Sequence, residues 1–234
     1  MESRIILAAD MSLGECLDLT HAIGERVYAV KVHDAYDSNG PTAVKMLREA
    51  GAMRVWVDAK LHDIPNTVKR RANAIADSGA QILTVHASGG IEMMQAAVGE
   101  FPFEVYAITV LTSLTEEEVH LAYGQPSKAA VLYLARLAKL AGVAGIVCSP
   151  KEVGILAKRP ELKGMKFVVP GIRSAGKDKG DQERVDTPAA ALKDGADYLV
   201  VGRQITQASD PVAALIELEA EISAALASIE GAKS

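Results

Sequence analysis

The sequence predicts an α/β fold, a single (β/α)₈ barrel over residues 1–234. Three observations predict it. Eight short apolar runs of four to seven residues are each followed by a helical pattern. They recur roughly every 25–30 residues, the βα repeat of such a barrel. Hydrophobic residues make up 49% of the chain but aromatics only 4%, so Ala, Val, Ile and Leu must build the core. That composition suits helices packed on buried parallel strands. Finally, no Gly-x-Gly-x-x-Gly follows the first strand, as an open dinucleotide-binding sheet would have, and no linker splits the chain.

The elements follow in order. Arg4 to Ala9 is the first strand, ending at Asp10. Ser12-Leu13-Gly14-Glu15 is a capping-box pattern and starts a helix to about Ala22. Val27 to Val32 is the second strand, with Lys31 near its end; Pro41 opens a helix that Gly51 closes. Val55 to Lys60 is the third strand, and the helix from Ile64 to Ser78 stops at Gly79. Gln81 to His86 and Val105 to Leu111 are the fourth and fifth strands, with a helix from Ile91 to about Val98 between them. Thr115 to Val119 is a short helix, and Ser127 to Leu140 a longer one ended by Gly142. Gly145 to Cys148, Lys166 to Val169 and Tyr198 to Val201 complete the strands. Helices are expected at Pro150 to Lys158, at Thr187 to Lys193 and from Pro211 to about Ile229. The polar, glycine-rich stretch from Gly171 to Glu183 is the longest without a pattern, and loops of this kind in compact domains often act as lids.

Net charge is −5 and no basic tract is present, which argues against a nucleic-acid partner. No apolar run approaches the ~18 residues of a membrane span, and a strand-like run begins at Arg4, so neither a membrane segment nor a signal peptide is expected. The two cysteines, Cys16 and Cys148, lie far apart and outside any nucleophile motif, as expected for buried thiols of a cytoplasmic protein.

The chemistry concentrates at Val55-Trp56-Val57-Asp58-Ala59-Lys60-Leu61-His62-Asp63-Ile64-Pro65-Asn66-Thr67. Side chains two apart on a strand share a face, so Asp58 and Lys60 are expected side by side. Asp63 follows a bend, and Pro65 suits the first turn of a helix. Burying an acid with a base costs several kcal/mol of desolvation per ion. A chain that needed only stability would carry Val or Ile here. Barrel chemistry sits at the C-terminal strand ends, where Asp10, Lys31, Asp58 and Lys60 alternate in sign across three neighbouring strands. His86 ends the fourth strand, and Thr112 and Ser113 follow the fifth; His62 and His86 are expected to pack rather than react. Loops after the seventh and eighth strands frequently bind phosphate through backbone N–H groups. Pro170-Gly171-Ile172-Arg173 and Gly202-Arg203 lie there and add two guanidinium forks. Gln182, on the long loop, is placed to fold over a phosphate.

These residues resemble the orotidine 5′-monophosphate decarboxylase family. The resemblance rests on Asp58-x-Lys60-x-x-Asp63-Ile64-Pro65-Asn66-Thr67, Val85-His86-Ala87-Ser88-Gly89-Gly90 and Leu111-Thr112-Ser113. It continues through Pro170-Gly171-Ile172-Arg173 with Gly180-Asp181-Gln182, and Val201-Gly202-Arg203 with Ile205-Thr206-Gln207. The matches run in order along nearly the whole chain. Asp-x-Lys-x-x-Asp alone is shared with sugar-acid phosphate decarboxylases; the Ile-Pro-Asn-Thr extension and the Pro-Gly-Ile-Arg and Gly-Asp-Gln pair are more specific. One departure is Val32-His33-Asp34-Ala35-Tyr36-Asp37, where the family usually has Val or Ile, then Gly and apolar residues. Neither His33 nor Asp34 has a third metal ligand at a recognisable spacing.

The resemblance implies cofactor-free, metal-free conversion of orotidine 5′-monophosphate to uridine 5′-monophosphate and carbon dioxide, in de novo pyrimidine biosynthesis. It implies Lys60 as proton donor, Asp58 against the substrate carboxylate, and Lys31 and Asp63 completing the charge network. Asp10 and Lys31 would bind the ribose hydroxyls and Thr112, ahead of Ser113, the pyrimidine. Arg173, Gln182, Gly202 and Arg203 would hold the phosphate. It further implies a homodimer in which Asp63, Ile64 and Thr67 reach the other subunit's site. The rivals are a Mg²⁺-dependent sugar-acid phosphate decarboxylase and a non-catalytic phosphate-ligand-binding barrel.

Overall fold

In the computed structural model, residues 2–174 and 186–231 are described. Eight parallel strands close into a barrel in sequence order. They are β1 (Ile5–Ala8), β2 (Ala29–Val32), β3 (Val55–Leu61), β4 (Ile82–His86), β5 (Glu104–Ile108), β6 (Gly145–Val147), β7 (Lys166–Val169) and β8 (Tyr198–Val201). The ring closes through β8, where Ile6 pairs with Val200. The helices are α1 (Leu13–Ile23), α2 (Asp34–Asn39), α3 (Pro41–Glu49), α4 (Pro65–Asp77), α5 (Ile91–Glu100), α6 (Glu116–Tyr123), α7 (Ser127–Ala141), α8 (Pro150–Leu156), α9 (Pro188–Lys193), α10 (Arg203–Thr206) and α11 (Pro211–Gly231). Among the described residues, no helix is long and apolar enough to cross a membrane.

Strand alternation sorts the core into two shells. Ile6, Ala8, Ala29, Trp56, Ile82, Tyr106, Val168, Tyr198 and Val200 cluster together inside the barrel. The other parity, including Leu7, Val30, Val57, Leu83, Val85 and Ala107, packs against the helices. Both cysteines are buried and unpaired, as expected. Local chemistry fixes the helix starts: Ser12 with Glu15 and Thr115 with Glu118 form capping boxes, which satisfy N–H groups that the first turn leaves unbonded. Gly142 ends α7 in the left-handed region at φ 82°, which costs glycine nothing.

At the N-terminal end of the barrel the polar groups form their own network. The Glu104 carboxylate accepts from Tyr106, Lys166 and Tyr28. Tyr28 stacks on Tyr198 with ring centroids 3.9 Å apart. This plug keeps the interior closed at the end away from the charged strand ends.

The structure departs from the sequence reading at several elements; α6, for one, runs on to Tyr123 instead of ending at Val119. α2 occupies the stretch after His33, where no element was expected. Asp37-Ser38-Asn39-Gly40 has the composition of a turn, yet one and a half helical turns fit before Gly40 reverses the chain at φ 58°. α10 is a single turn begun by Gly202, too short to show a period. β5 stops at Ile108 rather than Leu111, and a turn follows in which Leu114 N–H bonds to Leu111 O at 3.2 Å.

Candidate active site

β1, β2 and β3 deliver the charged cluster. Lys31 pairs with both neighbouring strands: its Nζ lies 3.2 Å from Asp10 Oδ1 and 3.2 Å from Asp58 Oδ2. Lys60 Nζ lies 2.7 Å from the same Asp58 oxygen. Asp10, Lys31, Asp58 and Lys60 therefore form one continuous chain of alternating charge, as the strand ends predicted. Asp58 and Lys31 are buried; Asp10 and Lys60 reach solvent.

The adjacency of Asp58 and Lys60 has a different origin from the simple pleat. Val57 pairs with Leu83 and Leu61 with Val85, so β3 carries two residues more than β4 across this interval. The strand bulges there. Lys60 takes φ 46°, the only positive φ at a non-glycine among the described residues. Such conformations cost of order 1–3 kcal/mol and persist where the surroundings enforce them. The bulge turns the lysine back onto Asp58 at the mouth of the barrel.

Each charge is tuned by its neighbours. Burial pushes the Asp58 carboxyl up, but Lys31, Lys60 and a hydrogen bond from Thr84 outweigh it and hold the group below the usual carboxylate range. A hydrogen bond from His33, whose Nε2 is 3.1 Å away, is the main influence holding Asp10 well below that range, with Lys31 adding to it. The same bond raises His33, which also contacts Asp34 at 3.2 Å. Burial, then the nearby His62 and Lys60 charges, lower His86. The His62 and His86 rings meet edge to face at 5.5 Å, with His62 exposed and His86 half-buried.

A cavity of about 610 Å³ opens at this end of the barrel. Asp10, Lys31, Asp58 and Lys60 line one part of it, and Thr112, Arg173, Gly202 and Arg203 are also in its wall. The volume lies within the ~300–1,000 Å³ usual for small-ligand sites. Gly202 begins α10, so Arg203 sits on its first turn. Arg173 donates from its Nη1 to Ile172 O at 2.6 Å. Gln182 lies outside the described residues, as does most of the expected lid.

Three expected residues are not brought to this chain's own cluster. Asp63 is exposed, and its carboxylate accepts from the Ile64 N–H at 2.7 Å. Ile64 is 66% exposed, and neither it nor Thr67 lines the cavity. Other contributors were missed. Thr84 touches Asp58, and Trp56, Met11, Thr206 and Gln207 line the cavity. Strand parity could have found Thr84: it shares a face with Ile82, which pairs with Trp56 on the strand carrying Asp58. Among the described residues, no group of three or more His, Cys, Asp or Glu is arranged to hold a metal ion.

The sequence model of the Orotidine 5′-phosphate decarboxylase / HUMPS family matches residues 3–218. The chain belongs to that family. An orotidine 5′-phosphate decarboxylase of Anaeromyxobacter dehalogenans is 49% identical over 197 residues, covering 82% of this chain and 86% of the relative. One from Actinobacillus succinogenes is 40% identical over 231 residues, covering 95% and 99%. The crystal structure of orotidine 5′-phosphate decarboxylase from Lactobacillus acidophilus superposes with a TM-score of 0.78 at 33% identity, over 94% of this chain and 99% of that one. The family's matched span contains β1 to β8 and every residue of the charged cluster.

Proposed function

We infer that this chain decarboxylates orotidine 5′-monophosphate to uridine 5′-monophosphate and carbon dioxide in pyrimidine biosynthesis, and we propose Lys60 as the proton donor. The observation that carries the mechanism is the buried Asp58 carboxylate with Lys31 and Lys60 both on one of its oxygens. Cleavage of the bond from pyrimidine C6 to the carboxylate leaves its electron pair on C6. A cation held there stabilises that charge. Lys60, the more exposed of the two lysines, then gives its proton to C6 as a general acid. It becomes neutral and regains a proton from solvent.

Asp58 lies against the position of the substrate carboxylate in this reading. Two anions confined together are relieved when one leaves as neutral carbon dioxide. Lys31 and Asp10 take the ribose hydroxyls, and Thr112 the pyrimidine. Arg173, Gly202 and Arg203, with Gln182, hold the phosphate through guanidinium forks and backbone N–H groups. Asp63, Ile64 and Thr67 act across a homodimer interface; the exposure of Asp63 and Ile64 in one chain supports this. The reaction needs no cofactor, involves no nucleic-acid polymer, and belongs in the cytoplasm, where two buried free thiols stay reduced.

Loss of orotidine monophosphate absorbance on adding purified, metal-free protein tests the reading. Turnover that survives a chelator supports it. Turnover of a sugar-acid phosphate instead, restored only by Mg²⁺, would assign the chain to that other chemistry. Stoichiometric nucleotide binding without turnover would make it a binding protein.

A further inference from the structure

We infer that Thr84, which does not touch the cavity, is a positioning residue: ordered by the indole N–H of Trp56, its hydroxyl fixes the Asp58 carboxylate so that the other oxygen is left to the two lysines. The inference rests on the decarboxylase reading above and adds a residue to it.

The geometry allows one arrangement of protons. Trp56 Nε1 lies 2.6 Å from Thr84 Oγ1, and an indole N–H can only donate. Thr84 must accept there. Its single proton is then free for Asp58 Oδ1, 2.7 Å away, and an ionised carboxylate can only accept. The direction of both bonds is thereby set. Lys60 and Lys31 occupy Oδ2 at 2.7 and 3.2 Å, so the two carboxylate oxygens have separate duties.

Burial makes the arrangement costly to lose. Trp56 is 2% exposed, Thr84 0% and Asp58 7%. A polar group left without a partner at so buried a position costs free energy. The barrel supplies the register: Trp56 pairs with Ile82 and Val57 with Leu83, which sets Asp58 beside Thr84. β4 needs no hydroxyl at this place for its own sake, since valine fits a buried strand as well. Without Thr84 the carboxylate is free to turn about its terminal torsion, and Lys60 moves with it. Displacement of a reacting group by about 1 Å can cost on the order of 10²-fold in rate.

The test compares wild type, Thr84→Val and Thr84→Ser. Thr84→Val should lower kcat about 10–100-fold, while inhibition by uridine monophosphate, which has no carboxylate, stays within about threefold. Thr84→Ser should restore most of kcat. The chain has one tryptophan, so fluorescence reads the same link directly. Emission should move to shorter wavelength in Thr84→Val, where the indole has lost its acceptor, and stay in place in Thr84→Ser. Should the valine variant not fold, Thr84→Ala serves the same arm. Unchanged kcat in a folded variant, or a serine variant no better than valine, overturns the proposal. A kcat loss with no emission shift overturns the ordering by Trp56. A wild-type protein that does not turn over orotidine monophosphate removes the decarboxylase reading itself, a separate failure.

Discussion

Lys60 Nζ and Asp58 Oδ2 lie 2.7 Å apart, yet the Asp58 side chain is 8% exposed and that of Lys60 37%. The carboxylate is locked into the barrel wall while the ammonium reaches into the cavity. Such a pair holds a proton at a defined point without burying both charges fully, which would cost several kcal/mol per ion.

Removing the amine should therefore remove the chemistry and leave the binding. Lys60→Ala should lower kcat by at least ~10²–10⁴, the scale of a positioned acid. Affinity for uridine monophosphate, measured calorimetrically, should persist because the arginines are untouched. Near-normal turnover in this variant would rule out Lys60 as the donor.

Arg203 should show the opposite pattern. Losing a hydrogen bond to a charged group costs about 1.5–3 kcal/mol, so Arg203→Ala should raise KM about 10–100-fold. The nucleoside without its phosphate should bind wild type and variant equally. A variant that weakens both alike would show that Arg203 does not read the phosphate.

His33 gives a pH-dependent signature. Its hydrogen bond to Asp10 raises its pKa in the folded state, above the ~6.5 of a free imidazole. The stability this contributes is complete below that unfolded value and disappears as pH rises through the folded pKa. His33→Gln should lower Tm near about pH 5.5 and leave it unchanged near about pH 9. An equal loss at both pH values would point to packing instead of charge.

Mixing inactive dimers separates the two placements of Asp63. Lys60→Ala and Asp63→Asn, each nearly inactive, are allowed to exchange subunits. If Asp63 acts across a two-fold interface, each heterodimer has one intact site, and roughly a quarter of wild-type activity should return. If heterodimers form and no activity returns, Asp63 serves its own chain.

The strands and the charged cluster were legible because two local rules govern them. Apolar runs with βα spacing located all eight strands, and their polar ends named Asp10, Lys31, Asp58 and Lys60. What was not legible depends on neighbours. α2 reads as a turn because Ser38-Asn39-Gly40 carries no helical period. The bulge in β3 is defined only against β4. Thr84 looks like an ordinary strand residue until Asp58 is placed beside it. His33 was noticed as a departure, but its bond to Asp10 needs the closure of β1 on β2.

The left-handed backbone of Lys60 sets heat tolerance against turnover at one residue. Glycine accepts that conformation freely, so Lys60→Gly would relieve strain while abolishing the amine. A library of variants enriched only for survival at high temperature should drift toward glycine at this position. Hardened scaffolds from such a selection would keep the barrel and lose the chemistry, and only a screen that scores product formation would hold the lysine in place.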